Sequence, residues 1–302
     1  MTKQLKFISM IAAGLVLITA CEKNNLDDYE VAKDVNLETN TMVRFIHAFS
    51  SNTINTATPV SITTAPPPFN LFVNGTRLNG VTTASSSPSN LTFYFGAFPG
   101  VNTTAPTTNG SNGSLNSGGV AASTILPDYA AFPGGVTRVA AVLNRLTGAS
   151  PADTVITGTF NLQNGKRYSL IAGDTIPNQR FYLFEDNYTV PDRNNYQIRI
   201  INLAPNVTLS SIDIYSRRRG SYLITGLPYR ANTPYFQVPI GGTFGITNDT
   251  LEVRSGGLPT ILAQFNGFFP VSQRAYTFVV RGMSNLPSSN VRSLGIAGYL
   301  NR

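Results

Sequence analysis

Met42-Val43-Arg44-Phe45-Ile46-His47-Ala48 and Gln197-Ile198-Arg199-Ile200-Ile201-Asn202-Leu203 read as one strand written twice, with an arginine third in each. A β-strand points successive side chains to opposite faces, and alternation at this period marks strand rather than helix. Three further pairs follow in the same order. Phe69-Asn70-Leu71-Phe72 matches Ile212-Asp213-Ile214-Tyr215, each running into a turn. Tyr129-Ala130-Ala131-Phe132-Pro133-Gly134-Gly135 matches the stretch from Tyr235 to Gly242, and Arg167-Tyr168-Ser169-Leu170-Ile171 matches Ala275-Tyr276-Thr277-Phe278-Val279. Four matches in one order describe an internal repeat.

The spacing between landmarks shows where the copies differ. Asn70 and Tyr129 are 59 positions apart, against 22 for Asp213 and Tyr235, whereas Tyr129 to Tyr168 (39) and Tyr235 to Tyr276 (41) nearly agree. The first copy therefore carries an insertion. Most of it, 99–122, is rich in Thr, Asn, Gly and Ser, too polar to bury itself, and is expected to form a mobile loop. Each copy offers about seven short strands between turn residues, the pattern of a β-sandwich. The expected domains are a first sandwich over 42–189 and a second over 196–302, joined by the polar, proline-containing Val190-Pro191-Asp192-Arg193-Asn194-Asn195.

Composition agrees with an all-β fold. Charged residues make up only 12% of the chain and Ala/Leu/Glu/Lys runs are scarce. The formal charge is +7, falling to +5 without Lys3 and Lys6, a modest excess that does not call for nucleic acid as a partner.

The first thirty residues carry an address. Lys3 and Lys6 precede an uncharged run from Phe7 to Ala20, too short for a spanning helix of roughly 20 residues, and then Cys21, the sole cysteine. Ile18-Thr19-Ala20-Cys21 resembles the bacterial lipobox. That likeness implies a signal peptide over 1–20, acylation of Cys21 with palmitate-like chains, and the outer membrane as partner through the anchor. Residues 21–41 are polar and acidic and are expected to form a flexible tether. Lys23 matches the surface-export layout of Bacteroidetes lipoproteins, but Asn24 and Asn25 stand where acids are expected, so either membrane face stays open. With no second cysteine, neither a disulfide nor a thiolate metal site is available.

The repeat also resembles the domain of unknown function 4397, whose repeats open on a Val-Arg-Phe-Val-His-Ala type strand. The likeness runs over most of 42–283, through Asp213-Ile214-Tyr215 and the stretch from Tyr235 to Gly241. The first copy departs from it with Asn70 in the acidic position. The resemblance implies tandem immunoglobulin-like or transthyretin-like sandwiches on envelope lipoproteins, without an assigned activity.

The search for chemistry mostly excludes. His47 is the sole histidine and its counterpart is Asn202, which cannot shuttle protons, so a structural hydrogen bond is expected there. Glu185 and Asp186 are neighbours and point apart on a strand. Asp153, Asp174, Asp192, Asp213 and Asp249 are scattered near expected turns. No metal, cofactor or catalytic residue is assigned. Arg217-Arg218-Arg219-Gly220 falls at an expected hairpin tip, where three guanidinium groups with Tyr215 and Tyr222 beside them could contact an anion or glycan. Thr154, Thr175 and Thr250 each follow an aspartate and precede an apolar residue, resembling the O-glycosylation signal of Bacteroidetes. The expectation is a non-catalytic envelope lipoprotein, structural or binding. The alternatives are a glycan-binding accessory of a polysaccharide uptake system and a carboxylate-dependent glycan-processing enzyme.

Overall fold

Both repeat strands, β1 (Asn40–His47) and the later Asn195–Asn202, are buried along almost their whole length. A strand covered on one side cannot be so, since every second residue would face solvent. The computed structural model describes residues 37–48, 69–77, 97–98, 114–115, 129–143, 154–175, 178–205, 211–241, 248–286 and 293–301. The signal segment, Cys21, most of the tether and most of the insertion lie outside the described residues.

The first half continues through β2 (Phe69–Val73), β3 (Thr76–Arg77), β4 (Ala97–Phe98), β5 (Ser114–Leu115), β6 (Ala130–Pro133), β7 (Gly135–Leu143), β8 (Thr154–Leu162), β9 (Arg167–Gly173) and β10 (Arg180–Glu185). The second half comprises β11 (Asn195–Asn202), β12 (Ser211–Ser216), β13 (Ser221–Pro228), β14 (Phe236–Pro239), β15 (Asp249–Ser255), β16 (Ile261–Phe268), β17 (Ala275–Arg281) and β18 (Gly295–Leu300). The structure is all-β, with several sheets arranged as β-sandwich-like layers.

The halves share one pairing pattern. An inner sheet runs β10-β9-β1 in the first, with β4 and β6 on the far side of β1, and β18-β17-β11-β14 in the second. An outer sheet runs β3-β2-β7-β8 in the first and β13-β12-β15-β16 in the second. In both inner sheets the first strand pairs parallel with the seventh of its repeat. Arg44 thereby lies opposite Ser169, and Arg199 opposite Thr277. Among the described residues the first half has ten strands and the second eight, and without the two short strands of the insertion each has eight where about seven were expected. The insertion also contributes structure: β4 adds to β1, and β5, inside the 99–122 stretch expected to be a loop, pairs with β18 of the other half.

Burial of the repeat strands follows from four stacked layers. Val43 and Phe45 face the first outer sheet with Leu71 and Val139. Tyr196, Ile198 and Ile200 face the second outer sheet with Ile214, Val253 and Phe265. The opposite faces of the two inner sheets meet each other, and Ile46, Ala48 and Ile171 pack on Ile201, Leu203, Val279 and Tyr299. The alternation of the repeat strands sorts residues between two interiors rather than between core and water. Each such aliphatic side chain contributes about 1.5–3 kcal/mol by leaving water. The second core is also rich in rings: Phe268 lies 5.2 Å from Tyr276 and 5.1 Å from Phe278, edge to face.

Residues 37–302 cluster as one compact unit. The outer sheets keep the half-buried pattern, as β8 shows by alternating exposed and covered positions. One irregularity bears on the second outer sheet. The register between β12 and β13 slips around Asp213, where Gly226 takes a positive φ of 67° that favours glycine.

Candidate functional site

The hairpin joining β12 to β13 carries Arg217, Arg218 and Arg219 at its tip, and an aspartate fixes its shape. Asp249 accepts from the Ser216 hydroxyl at 2.5 Å and from the Arg218 N–H at 3.0 Å. Gly220, at φ 63°, closes the turn by donating to the Arg217 carbonyl. The guanidinium groups then part company. Arg217 donates its Nε and Nη2 to Glu252 at 2.9 and 2.6 Å, while Arg219 reaches the Pro239 carbonyl at 2.9 Å. Arg218 is half-buried, and its Nη2 is enclosed without a hydrogen-bond partner.

Glu252 is the hub of this face. Its second oxygen accepts Nε and Nη2 of Arg254 at 3.0 and 2.6 Å, so two guanidinium forks hold one carboxylate. Burial pushes its pKa up, but Arg254 and Arg217 outweigh burial and hold it below the usual carboxylate range. Arg254 also lies 3.8 Å from the ring centroid of Tyr215 and donates to the Tyr222 hydroxyl at 3.2 Å. The Tyr215 and Tyr222 rings meet at 73°, and Arg254 covers Tyr215, so the pair does not present a flat stacking platform.

On the first outer sheet the corresponding register positions are Phe72 opposite Ala140, where the second half has Tyr215 opposite Glu252. With alanine there, an open depression remains, lined by Phe72, Gly75, Arg138, Ala140, Thr154 and Thr157.

The remaining buried carboxylates each have structural partners. Asp213 accepts the N–H groups of Gly226 at 2.7 Å and Gly257 at 2.9 Å, pinning the bulge and the next turn. Asp174 accepts Nη2 of Arg230 at 2.8 Å and the Tyr182 hydroxyl. His47 is buried at the end of β1, and its counterpart Asn202 bonds the Leu227 carbonyl and the Ala204 N–H. Glu185 is exposed and paired with Lys166, whereas Asp186 is buried. No group of three or more His, Cys, Asp or Glu among the described residues is placed to hold a metal ion.

Asp186 belongs to a buried cluster between the inner sheets that the sequence reading did not assemble. Arg199 donates to the Asp186 carboxylate, to the Glu185 carbonyl at 2.9 Å and to the Thr277 hydroxyl at 3.1 Å. Arg44 donates to the Leu300 carbonyl at 2.7 Å and to the Ser169 hydroxyl at 3.2 Å. Ser169 and Tyr129 complete Asp186, each donating at 2.8 Å. In the second half Thr277 donates to Asn301 at 2.8 Å. Arg44 lies over Tyr129 at 5.0 Å, and Arg199 over Tyr235 at 4.7 Å. Burial pushes the Tyr129 hydroxyl well up against the pull of Arg44. Burial also pulls the Arg44 guanidinium down, but Tyr129 and Asp186 leave it raised on balance. The signal for the cluster was present as Arg44 and Arg199 in matched register.

Of the three candidate glycosylation threonines, Thr154 is exposed at the start of β8. Thr175 is half-buried after β9, and Thr250 is half-buried within β15.

A family described as "Domain of unknown function (DUF4397)" matches residues 97–215. The domain is therefore detected over part of the chain. The matched span begins at β4, crosses the rest of the first half and ends in β12. No curated protein matches this chain.

Proposed function

We propose that the chain is a non-catalytic envelope lipoprotein, held at the outer membrane through acyl chains on Cys21. We further propose that it acts there as a structural or binding module built from two tandem immunoglobulin-like or transthyretin-like domains of the DUF4397 kind. The observation that carries the non-catalytic reading is the fate of its acids. Asp174, Asp186, Asp213, Asp249 and Glu252 each spend their oxygens on donors that hold turns, bulges or ion pairs. A glycan-processing enzyme needs two acids facing one cleft, and this pattern argues against that reading. The anchor reading rests on the lipobox-like sequence. Labelling of cells with a radioactive fatty acid tests it: label on the parent chain and none on Cys21→Ser is the expected result, and an unlabelled parent overturns it.

Glycan binding is the second reading, favoured by the arginine hairpin and disfavoured by the crossed rings of Tyr215 and Tyr222. A glycan array on the soluble form starting after Cys21 tests it, with Arg217, Arg218 and Arg219 changed together to alanine. Binding that this change abolishes assigns the contact to the hairpin; no binding by the parent removes the reading.

A further inference from the structure

The cluster between the inner sheets obeys an approximate two-fold exchange. Arg44 answers Arg199, Ser169 answers Thr277 and Tyr129 answers Tyr235. Each arginine bonds the hydroxyl across its own parallel pair and a main-chain carbonyl of the opposite half. The ring contacts repeat as well: Arg44 lies 5.4 Å from Tyr299 of the second half, and Arg199 lies 5.7 Å from Phe184 of the first. Two positions break the exchange. Arg281, buried at the end of β17, stands where β9 has Gly173. Asp186 directly follows β10 and Asn301 directly follows β18, so acid stands against amide. Asp186 and Asn301 even bond alike to the main chain, donating to the Arg167 and Ala275 carbonyls.

Arg199 thus holds the carboxylate of the cluster directly and Arg44 reaches it through Ser169, in a site nearly closed to water. Arg44, Arg199 and Asp186 are 1, 2 and 5% exposed. Buried charge is costly without a partner, so this acid bears on whether the faces join, beside the Asp174–Arg230 pair that also links the halves. We infer that the meeting faces of the inner sheets form a self-pairing surface, fitted to a unit of the same build, whose recognition turns on the carboxylate of this cluster. Either half can supply it. A carboxylate at 301 stands to Arg44 as Asp186 stands to Arg199, while Asn301 keeps two second halves from pairing with each other, because that union would bury Arg199 and Arg281 of both units and no acid in the cluster.

Four full chains decide the matter by thermal unfolding: the parent, Asp186→Asn, Asn301→Asp and the double exchange Asp186→Asn with Asn301→Asp. The loss of the sole acid in Asp186→Asn is expected to lower the midpoint by about 10 °C. Asn301→Asp gives each arginine its own acid and is expected to match or exceed the parent. The double exchange moves the acid across the approximate axis and is expected to return within about 3 °C of the parent. A purely local role for Asp186 leaves the double variant as low as Asp186→Asn, and that result overturns the inference. Where Asp186→Asn yields no folded protein, a folded double variant supports the inference and an unfolded one refutes it.

Discussion

Arg199, in the second half, donates to both the Glu185 carbonyl and the Asp186 carboxylate of the first, tying the end of β10 in one inner sheet to a central strand of the other. Replacing Arg199 with methionine leaves Asp186 buried with hydroxyl donors and no hydrogen-bonded cation. The expected loss is about 3–5 kcal/mol, read from urea unfolding midpoints at unchanged slope. Arg44→Met is expected to lose less, since Arg44 bonds a hydroxyl and a carbonyl rather than the acid itself.

Asp213 holds two peptide N–H groups across the sheet, one in the bulge of β13 and one in the turn after β15. Asp213→Ala frees both, and a loss of about 2 kcal/mol is expected in the same assay. Gly226→Ala is expected to cost about 1 kcal/mol by a different route, because a Cβ disfavours φ 67° while the space around it is open.

Glu252 supplies a pH dependence with a definite sign. Its folded pKa lies below the 4.5 of an ordinary glutamate, so its contribution is intact above that value. The contribution disappears as pH falls through the lower folded value, when the carboxylate takes up a proton and releases Arg254 and Arg217. The parent is expected to be more stable than Glu252→Gln at pH 7, and the two are expected to converge below pH 4.5. Denaturant midpoints across that range check it; a constant difference counts against the paired carboxylate.

Arg217 is 57% exposed on its side chain, so its ion pair is screened by water despite good geometry. Arg217→Ala is expected to cost under about 1 kcal/mol, and the triple alanine variant of the hairpin is expected to stay folded. Circular dichroism melting of the triple variant checks this, and makes any loss of glycan binding attributable to the surface rather than to unfolding.

Several landmarks are legible in the sequence. The strand type of Met42–Ala48 and Gln197–Leu203, the matched arginines and the turn at 217–220 all follow from local pattern, because period and turn chemistry act over a few residues. The acids were harder to read. Asp213 is legible as part of the strand Ile212–Tyr215 near a turn, but its partners Gly226 and Gly257 come from other parts of the sheet. The arginine hairpin was read as three heads beside one another, yet Glu252 lies 35 residues from Arg217 and captures it. Such pairings depend on which strands become neighbours, and nothing near residue 217 encodes that choice.

The order of residues by itself determined the strands, the twofold recurrence of their pattern and the lone cysteine ahead of them, since backbone periodicity and composition are properties of short stretches. The tertiary structure alone decided that Arg44 and Arg199 are interior rather than surface residues. An alternating strand has two faces whatever surrounds it, and only the stacking of one inner sheet on the other turned the arginine-bearing face into a second interior, with Asp186 as the acid of its cluster.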